Sequence, residues 1–252
     1  MIHYALVRQP GPEATDGLTS QSGPPLQYDE LRRQHGAYCR LLESLGIELI
    51  SLPPLTGFPD AYFVEDTAVV TPEMAVIARP GARQRRGEAQ SVAAALAGHR
   101  ALETIQPPGT LDGGDVLIVA EEVFVGLSER TNPDGAAQLA GFLEPHGYRV
   151  TTVAVRDGLH LKSSVNSIGD GCLLILAPWA GRPQFAAYQK LPVPPEEAHA
   201  CNSLAINGHL ITPAGFPGTQ ALLETTGRPL LTLDTRQARR MDGGLTCLSI
   251  RF

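Results

Sequence analysis

Cysteine pairs, histidine motifs and long apolar runs are what this chain has little of. Its 252 residues hold four cysteines, Cys39, Cys172, Cys201 and Cys247, far apart and without a CxxC pair, and its seven histidines form no HxxxH spacing. That argues against a structural zinc site. His199 and Cys201 could share one metal, but two further ligands have no source. No apolar stretch approaches the roughly 18 residues that a membrane span needs. The first apolar run, Tyr4-Ala5-Leu6-Val7, lacks the basic flank and small-residue cleavage site of a signal peptide. The cytoplasm is therefore the default location, with thiols reduced. Lys and Arg number 20 against 26 Asp and Glu, giving a net charge of −6, and the basic residues form no cluster larger than those at 83–86 and at Arg239-Arg240. A nucleic-acid surface is not indicated. No GxGxxG or GxxxxGK[ST] element is present, which removes the usual nucleotide-binding readings. A small-molecule partner is what remains.

Hydrophobic residues at 43% and charged residues at 18% are ordinary for a globular protein able to bury a large core. The chain opens with a strand over 2–7 and a loop over 9–27 rich in Gly, Pro, Ser and Thr, without periodicity. Loops of that length in compact domains are often lids or binding loops, and Leu18 stands in the middle of this one, either as an anchor on the body or as a lid tip. Residues 28–45 read as an amphipathic helix stopped by Gly46, and 48–52 as a strand.

From residue 58 onward a plan recurs. Residues 63–70 and 74–78 read as a hairpin followed by a helix over 87–97 and a strand near 102–105. Residues 111–119 and 123–126 repeat the hairpin, with a helix over 136–143 and a strand over 149–155. Further copies begin at His160, near Cys201 and at Gly244, so that Asp66, Asp112, His160, Cys201 and Cys247 are separated by 46, 48, 41 and 46 residues. A period of this size suggests a circular array. Five strand-turn-strand-helix-strand units would close into a pseudo-symmetric α/β propeller, a single catalytic domain over 1–252 with a lid at about 9–27. Closure would gather residues remote in sequence into one pocket, whereas an ordinary α/β sandwich, which the periodicity alone also allows, would scatter them.

Cys247 follows Gly243-Gly244 at the expected mouth of the last strand, where a thiol could face a cavity or equally be a small buried hydrophobe. A cysteine nucleophile needs an acid or base partner and that partner needs an orienting carboxylate; His160 and Asp112 are of the right types, with Asp115 a rival for the second role. Phe58-Pro59-Asp60-Ala61-Tyr62-Phe63-Val64-Glu65-Asp66 holds three carboxylates in a β-prone run with no base among them. Either the run is a solvated acidic loop or a cationic ligand pairs it, and a planar guanidinium suits several carboxylates best.

The motifs FPDxxFVED at 58–66, RPGxxxRRGE at 79–88, LDGGDV at 111–116, HLK at 160–162 and MDGGLTC at 241–247 resemble the dimethylarginine dimethylaminohydrolases. The resemblance runs from Asp16-Gly17-Leu18-Thr19-Ser20 to Arg251-Phe252. That family belongs to the guanidino-group modifying, or amidinotransferase, superfamily of five-bladed α/β propellers (penteins). The resemblance implies hydrolysis of N-omega-methylated arginine to L-citrulline and dimethylamine or methylamine through a Cys thiouronium, with no metal or organic cofactor. It implies Cys247 as nucleophile, His160 as general acid and base, and Asp112, a position where some members carry Glu, as the orienting carboxylate. It implies Asp66 on the guanidinium with Glu65 and Asp60 completing an acidic wall, Arg85 and Arg130 on the substrate carboxylate, and Leu18 and the main chain at Met241 closing on the amino-acid end. A homodimer is left open.

Arginine deiminases and amidinotransferases share the fold and the Cys/His pair, but there the histidine is typically followed two residues later by Asp, where this chain has Lys162. Loss of a carboxylate suits a nitrogen whose protons are replaced by methyl groups. The extra helical segment expected of arginine deiminases is also missing. A ribosome anti-association factor shares the propeller as a binding protein, but that reading gives Cys247, His160 and the acidic run no common purpose.

Overall fold

The computed structural model describes residues 1–156 and 158–252, and among them fifteen strands form five three-stranded sheets. The first sheet joins the two ends of the chain. β1 (Tyr4–Arg8) runs parallel to β2 (Glu48–Leu52) and antiparallel to β15 (Ile250–Arg251), with Leu6 opposite both Ile50 and Ile250. The remaining sheets follow in order: β3 (Ala68–Val70), β4 (Met74–Ile77) and β5 (Ala101–Thr104); β6 (Val116–Val119), β7 (Glu122–Leu127) and β8 (Arg149–Ala154); β9 (Val165–Gly169), β10 (Cys172–Leu176) and β11 (Gln189–Val193); and β12 (Leu204–Ile206), β13 (His209–Pro213) and β14 (Leu230–Leu233). Each has one antiparallel and one parallel pair. The antiparallel pair takes a short hairpin, while the parallel pair needs a crossover. Asp170-Gly171 and Asn207-Gly208, all with positive φ, make two of those hairpin turns.

Four crossovers are helical: α1 (Tyr28–Ser44), α2 (Ala89–Leu96), α3 (Pro133–Leu143) and α4 (Pro217–Glu224). On α1, Leu31, Tyr38 and Leu42 lie on one buried stripe, as an amphipathic helix requires. α3 starts where Asn132 accepts the Gly135 N–H at 2.8 Å and Pro133 supplies a preset φ at the first turn. The fourth unit departs from the expected plan. Between β10 and β11 the chain makes two 3-10 turns, Ala177–Trp179 and Pro183–Phe185, because Pro178, Gly181 and Pro183 interrupt any longer helix. A short helix, α5 (Arg236–Arg239), precedes the last turn.

Two other expectations are corrected. The loop over 9–27 contains a 3-10 helix, Pro12–Asp16, with Ala14 buried beneath it. The run 63–67 is not strand: Val64–Thr67 is a 3-10 turn that feeds β3. A 3-10 turn precedes the first strand of every other unit as well, at Gly113–Asp115, Leu161–Ser163, Pro195–Cys201 and Thr246–Leu248. From Thr246–Leu248 through Val64–Thr67, Gly113–Asp115 and Leu161–Ser163 to Pro195–Cys201, each turn touches the next. Among the described residues no helix is long and apolar enough to cross a membrane.

Candidate active site

The ring of 3-10 turns is where the charged residues gather. Asp60, Glu65, Asp66, Asp112, Asp115, Arg85 and His160 are all buried. Burial on that scale is tolerated only when each charge is paired or hydrogen-bonded, and the pairs come from far along the chain. Asp66 takes Nη1 of Arg85 at 2.5 Å and the Gly114 N–H at 3.0 Å. Glu65 accepts from Lys162 at 2.7 Å, Arg251 at 3.1 Å and the Thr246 hydroxyl at 2.6 Å. Two of the three carboxylates of the acidic run, Glu65 and Asp66, are thus paired within the fold, where the sequence suggested a cationic ligand or a solvated loop. What the turns leave for a ligand is narrower: one face of Asp66, Asp60 and the thiol.

His160 sits between carboxylates. Its Nε2 lies 3.2 Å from Oδ2 of Asp112 and 3.9 Å from Oδ1 of Asp66. The other oxygen of Asp112 accepts the Gly81 N–H at 2.9 Å, which turns Oδ2 toward the imidazole. Asp115 is engaged elsewhere, accepting the Leu161 N–H at 2.9 Å and the hydroxyls of Ser128 and Thr131 at 2.6 and 2.8 Å. The orienting contact therefore belongs to Asp112, and Asp115 fixes the backbone just after His160. Gly114 is required for close approach: a Cβ there would stand 2.7 Å from the His160 ring. Burial would lower the imidazole pKa, but Asp66, Asp112 and Asp115 outweigh it and raise it to about 9. The imidazolium is the resting form at neutral pH. Burial likewise opposes ionisation of Asp66, yet His160 and Arg85 hold its carboxyl down at about 2.

Cys247 lies inside the turn Thr246–Leu248, three residues before β15, at whose mouth it was expected. Its sulfur accepts the Gly244 N–H at 3.4 Å. Burial first, then the charges of Glu65 and Asp66, push the thiol up to about 12, against the smaller pull of that N–H and of Lys162. Without a cation the sulfur is a protonated thiol at neutral pH.

A cavity of about 760 Å³ opens above these groups, lined by Leu18, Glu65, Arg130, His160, Lys162 and Cys247 among others. A narrower slot leads from the same residues past Asp60, Asp66, Arg85 and Met241. Nine of the ten residues singled out from the sequence line one or both; Asp112, fully buried, stands behind His160. Leu18 is 37% exposed at the lid tip and donates its N–H to Asp60 at 3.1 Å. Asp242 holds the lid through the Ser20 N–H at 2.6 Å, the Ser20 hydroxyl at 3.0 Å and Gln21 at 2.6 Å. Arg85 is largely engaged, by Glu88, Asp66 and the carbonyls of Asp60 and Phe63. Arg130, 3.8 Å from Asp112 and on the wall of both spaces, is the more available cation.

The sequence reading missed Leu159, Asn202 and Asp242, which also line the cavity. Leu159 belongs to no apolar pattern of the sequence, and Asn202 and Asp242 read as ordinary turn residues. Asp66, Asp112 and His160 each bring a donor atom within 4.8 Å of the others, a set that could hold a metal ion. Arg85 on Asp66 and Arg130 beside Asp112 already supply positive charge at that point.

The family model for Arginine deiminase matches residues 50–161. The chain is 35% identical over 254 residues to N(G),N(G)-dimethylarginine dimethylaminohydrolase of Pseudomonas aeruginosa, covering 100% of both. It is 37% identical over 250 residues to the protein of the same name from Streptomyces coelicolor, covering 98% of this chain and 96% of that one. Its fold superposes with a TM-score of 0.98, at 34% identity and over 100% of each chain, on a cysteine-to-serine mutant of the Pseudomonas aeruginosa protein complexed with citrulline.

Proposed function

This chain belongs to the N(G),N(G)-dimethylarginine dimethylaminohydrolase family, and from that premise we propose that it hydrolyses N-omega-methylated arginine to L-citrulline and dimethylamine or methylamine. The observation that carries the reading is the meeting of the Cys247 thiol and the His160 imidazole on one slot, with Asp112 3.2 Å behind the ring.

Cys247 is the nucleophile in this reading. A guanidinium bound beside Asp66 lowers the thiol pKa, and the thiolate forms as its proton leaves to solvent. The sulfur adds to the central guanidinium carbon. His160, protonated at neutral pH, gives its proton to the methylated nitrogen, the C–N bond breaks and neutral dimethylamine or methylamine departs. A thiouronium cation remains on Cys247. The now neutral His160 takes a proton from water as its oxygen adds to the same carbon. Collapse breaks the C–S bond and returns the thiolate, and a second proton is released as the carbonyl of citrulline forms. The sum is one substrate cation and one water giving neutral citrulline and a methylated ammonium ion. Asp112 holds the imidazole in place throughout.

Arg130 takes the substrate carboxylate, with Arg85 contributing its remaining Nη1 hydrogen, since a guanidinium fork suits a carboxylate. Asp60, Leu18 and the main chain at Met241 close on the amino-acid end. Glu65 acts through Lys162 and Thr246, because both of its oxygens are already occupied. With Lys162 where arginine deiminases typically carry Asp, and paired to Glu65, the carboxylate of that position is not available to grip N–H groups, which favours a substituted nitrogen over free arginine. The reading carries over from the sequence a single catalytic domain, a cytoplasmic location, no metal or organic cofactor, and a homodimer as the state to check by light scattering.

The test is citrulline formation at neutral pH from asymmetric dimethylarginine, monomethylarginine and arginine in parallel, with Cys247→Ser as control. Faster turnover of the methylated substrates, lost in the variant, is expected. Turnover of arginine alone would overturn the substrate assignment, and no turnover of any would overturn the activity.

A further inference from the structure

Five turns meet on the ring axis, and the reading above gives roles to four of them. The fifth, at Cys201-Asn202-Ser203, is where the sequence repeat predicts a contribution and no function has claimed one. Cys201 itself is buried in the core with Ile168, Leu174 and Leu210 and faces away from the site. Asn202 turns the other way, onto the cavity wall.

Its side chain joins the two halves of the chemistry. Oδ1 accepts the main-chain N–H of Thr246, the residue before Cys247, at 2.9 Å. Nδ2 donates to the Thr246 hydroxyl at 3.1 Å and to the main-chain carbonyl of Lys162, two residues after His160, at 3.2 Å. The Thr246 hydroxyl passes its own hydrogen to Glu65 at 2.6 Å. Both amide hydrogens of Asn202 are thus committed to the protein, and neither is left for a ligand. Gly244 completes the fit, because a Cβ there would overlap the Asn202 amide.

We propose that Asn202 is a positioning residue: a single amide that fixes the nucleophile turn against the acid–base turn and so sets the approach of Cys247 and His160 to one guanidinium carbon. The proposal rests on the hydrolase reading above. Asparagine is suited to it, because it offers an acceptor to one turn and donors to both from one planar group. Aspartate would keep the bond from Thr246 N–H and lose both donated bonds; alanine would lose all three. A misplacement of the reacting groups by about 1 Å is enough to lower a rate about 100-fold.

The test compares wild type, Asn202→Ala and Asn202→Asp, with thermal melts to verify folding and the Asp variant as the near-isosteric one should the Ala variant fail to fold. Steady-state kcat and KM with asymmetric dimethylarginine are measured beside the pH dependence of Cys247 alkylation by iodoacetamide. The expected result is a fall in kcat of about 100-fold in both variants with KM within about threefold, and an altered alkylation profile. A kcat within about threefold of wild type in a folded variant would overturn the proposal, as would a rise in KM that accounts for the whole loss, which would make Asn202 a ligand contact. An alkylation profile unmoved in both variants would overturn it too. Should wild type turn over no methylated arginine, the hydrolase reading falls, while the alkylation comparison still reads the strut by itself.

Discussion

His160 and His199 line the same cavity and titrate in opposite directions. His160 is raised to about 9, because Asp66, Asp112 and Asp115 outweigh the burial that would lower it. His199 is lowered to about 4, by burial first and then by the charge of Arg239, with Asp242 too weak an opponent to reverse it. Its buried Nε2 has no hydrogen-bond partner among the described residues, and its ring lies 5.8 Å from that of Phe216. Desolvation acts on both imidazoles. The difference is the ring of carboxylate-bearing turns, which reaches one histidine and not the other. The cysteines repeat the contrast, since Cys201 is fully buried among aliphatic side chains and Cys247 faces the cavity beside Glu65 and Asp66.

The largest expected effect is at the cysteines. Cys247→Ser should lower citrulline formation by about 10⁴-fold or more, while Cys201→Ala should leave kcat within about threefold and cost about 1–2 kcal/mol of stability in a denaturant melt. Equal losses of activity in the two variants would erase the distinction. At the histidines, His160→Gln should lower kcat about 10³-fold, whereas His199→Gln should change kcat by less than about tenfold. A His199 variant as inactive as the His160 variant would move the acid–base role to the other wall.

A smaller effect isolates the carboxylates. Asp112→Asn should bring the His160 midpoint down from about 9, read by NMR titration of the imidazole, and lower kcat by about 10–100-fold. A midpoint that stays at about 9 would leave Asp66 and Asp115 as sufficient and remove Asp112 from the account.

The smallest effect is on stability, and its sign differs between the two histidines. His160, raised in the folded state above 6.5, contributes stability that is complete below pH 6.5 and lost as pH rises through about 9. His199, depressed to about 4, contributes stability present above pH 6.5 and lost as pH falls through about 4. The stability gap between wild type and His160→Gln should therefore be widest below pH 6.5 and close as pH rises through about 9, while the gap for His199→Gln should open as pH falls through about 4. Parallel curves for both would show that the carboxylate ring does not set the contrast.

The ring was legible in the spacing of Asp66, Asp112, His160, Cys201 and Cys247, because each unit of the propeller restarts at the axis. What the spacing could not convey was the 3-10 turn at each restart: a three-residue turn has no periodicity, and Phe63-Val64 carries the same β-branched and aromatic signature as a strand. The missing helix of the fourth unit was readable from Pro178, Gly181 and Pro183 and was overridden by the pattern of its neighbours. The pairing of the acidic run was not readable, since Arg85, Lys162 and Arg251 approach Asp66 and Glu65 only after the ring closes. Asn202 escaped for the same reason, its three partners lying 40 and 44 residues away.

The most direct measurement is intact and peptide mass spectrometry after acid quenching of wild type during turnover of asymmetric dimethylarginine and, separately, monomethylarginine. The account predicts one and the same adduct on Cys247 from both substrates, free of methyl groups because the methylated nitrogen has already left. An adduct that keeps its methyl groups, an adduct on another residue, or turnover with no adduct at all would contradict it.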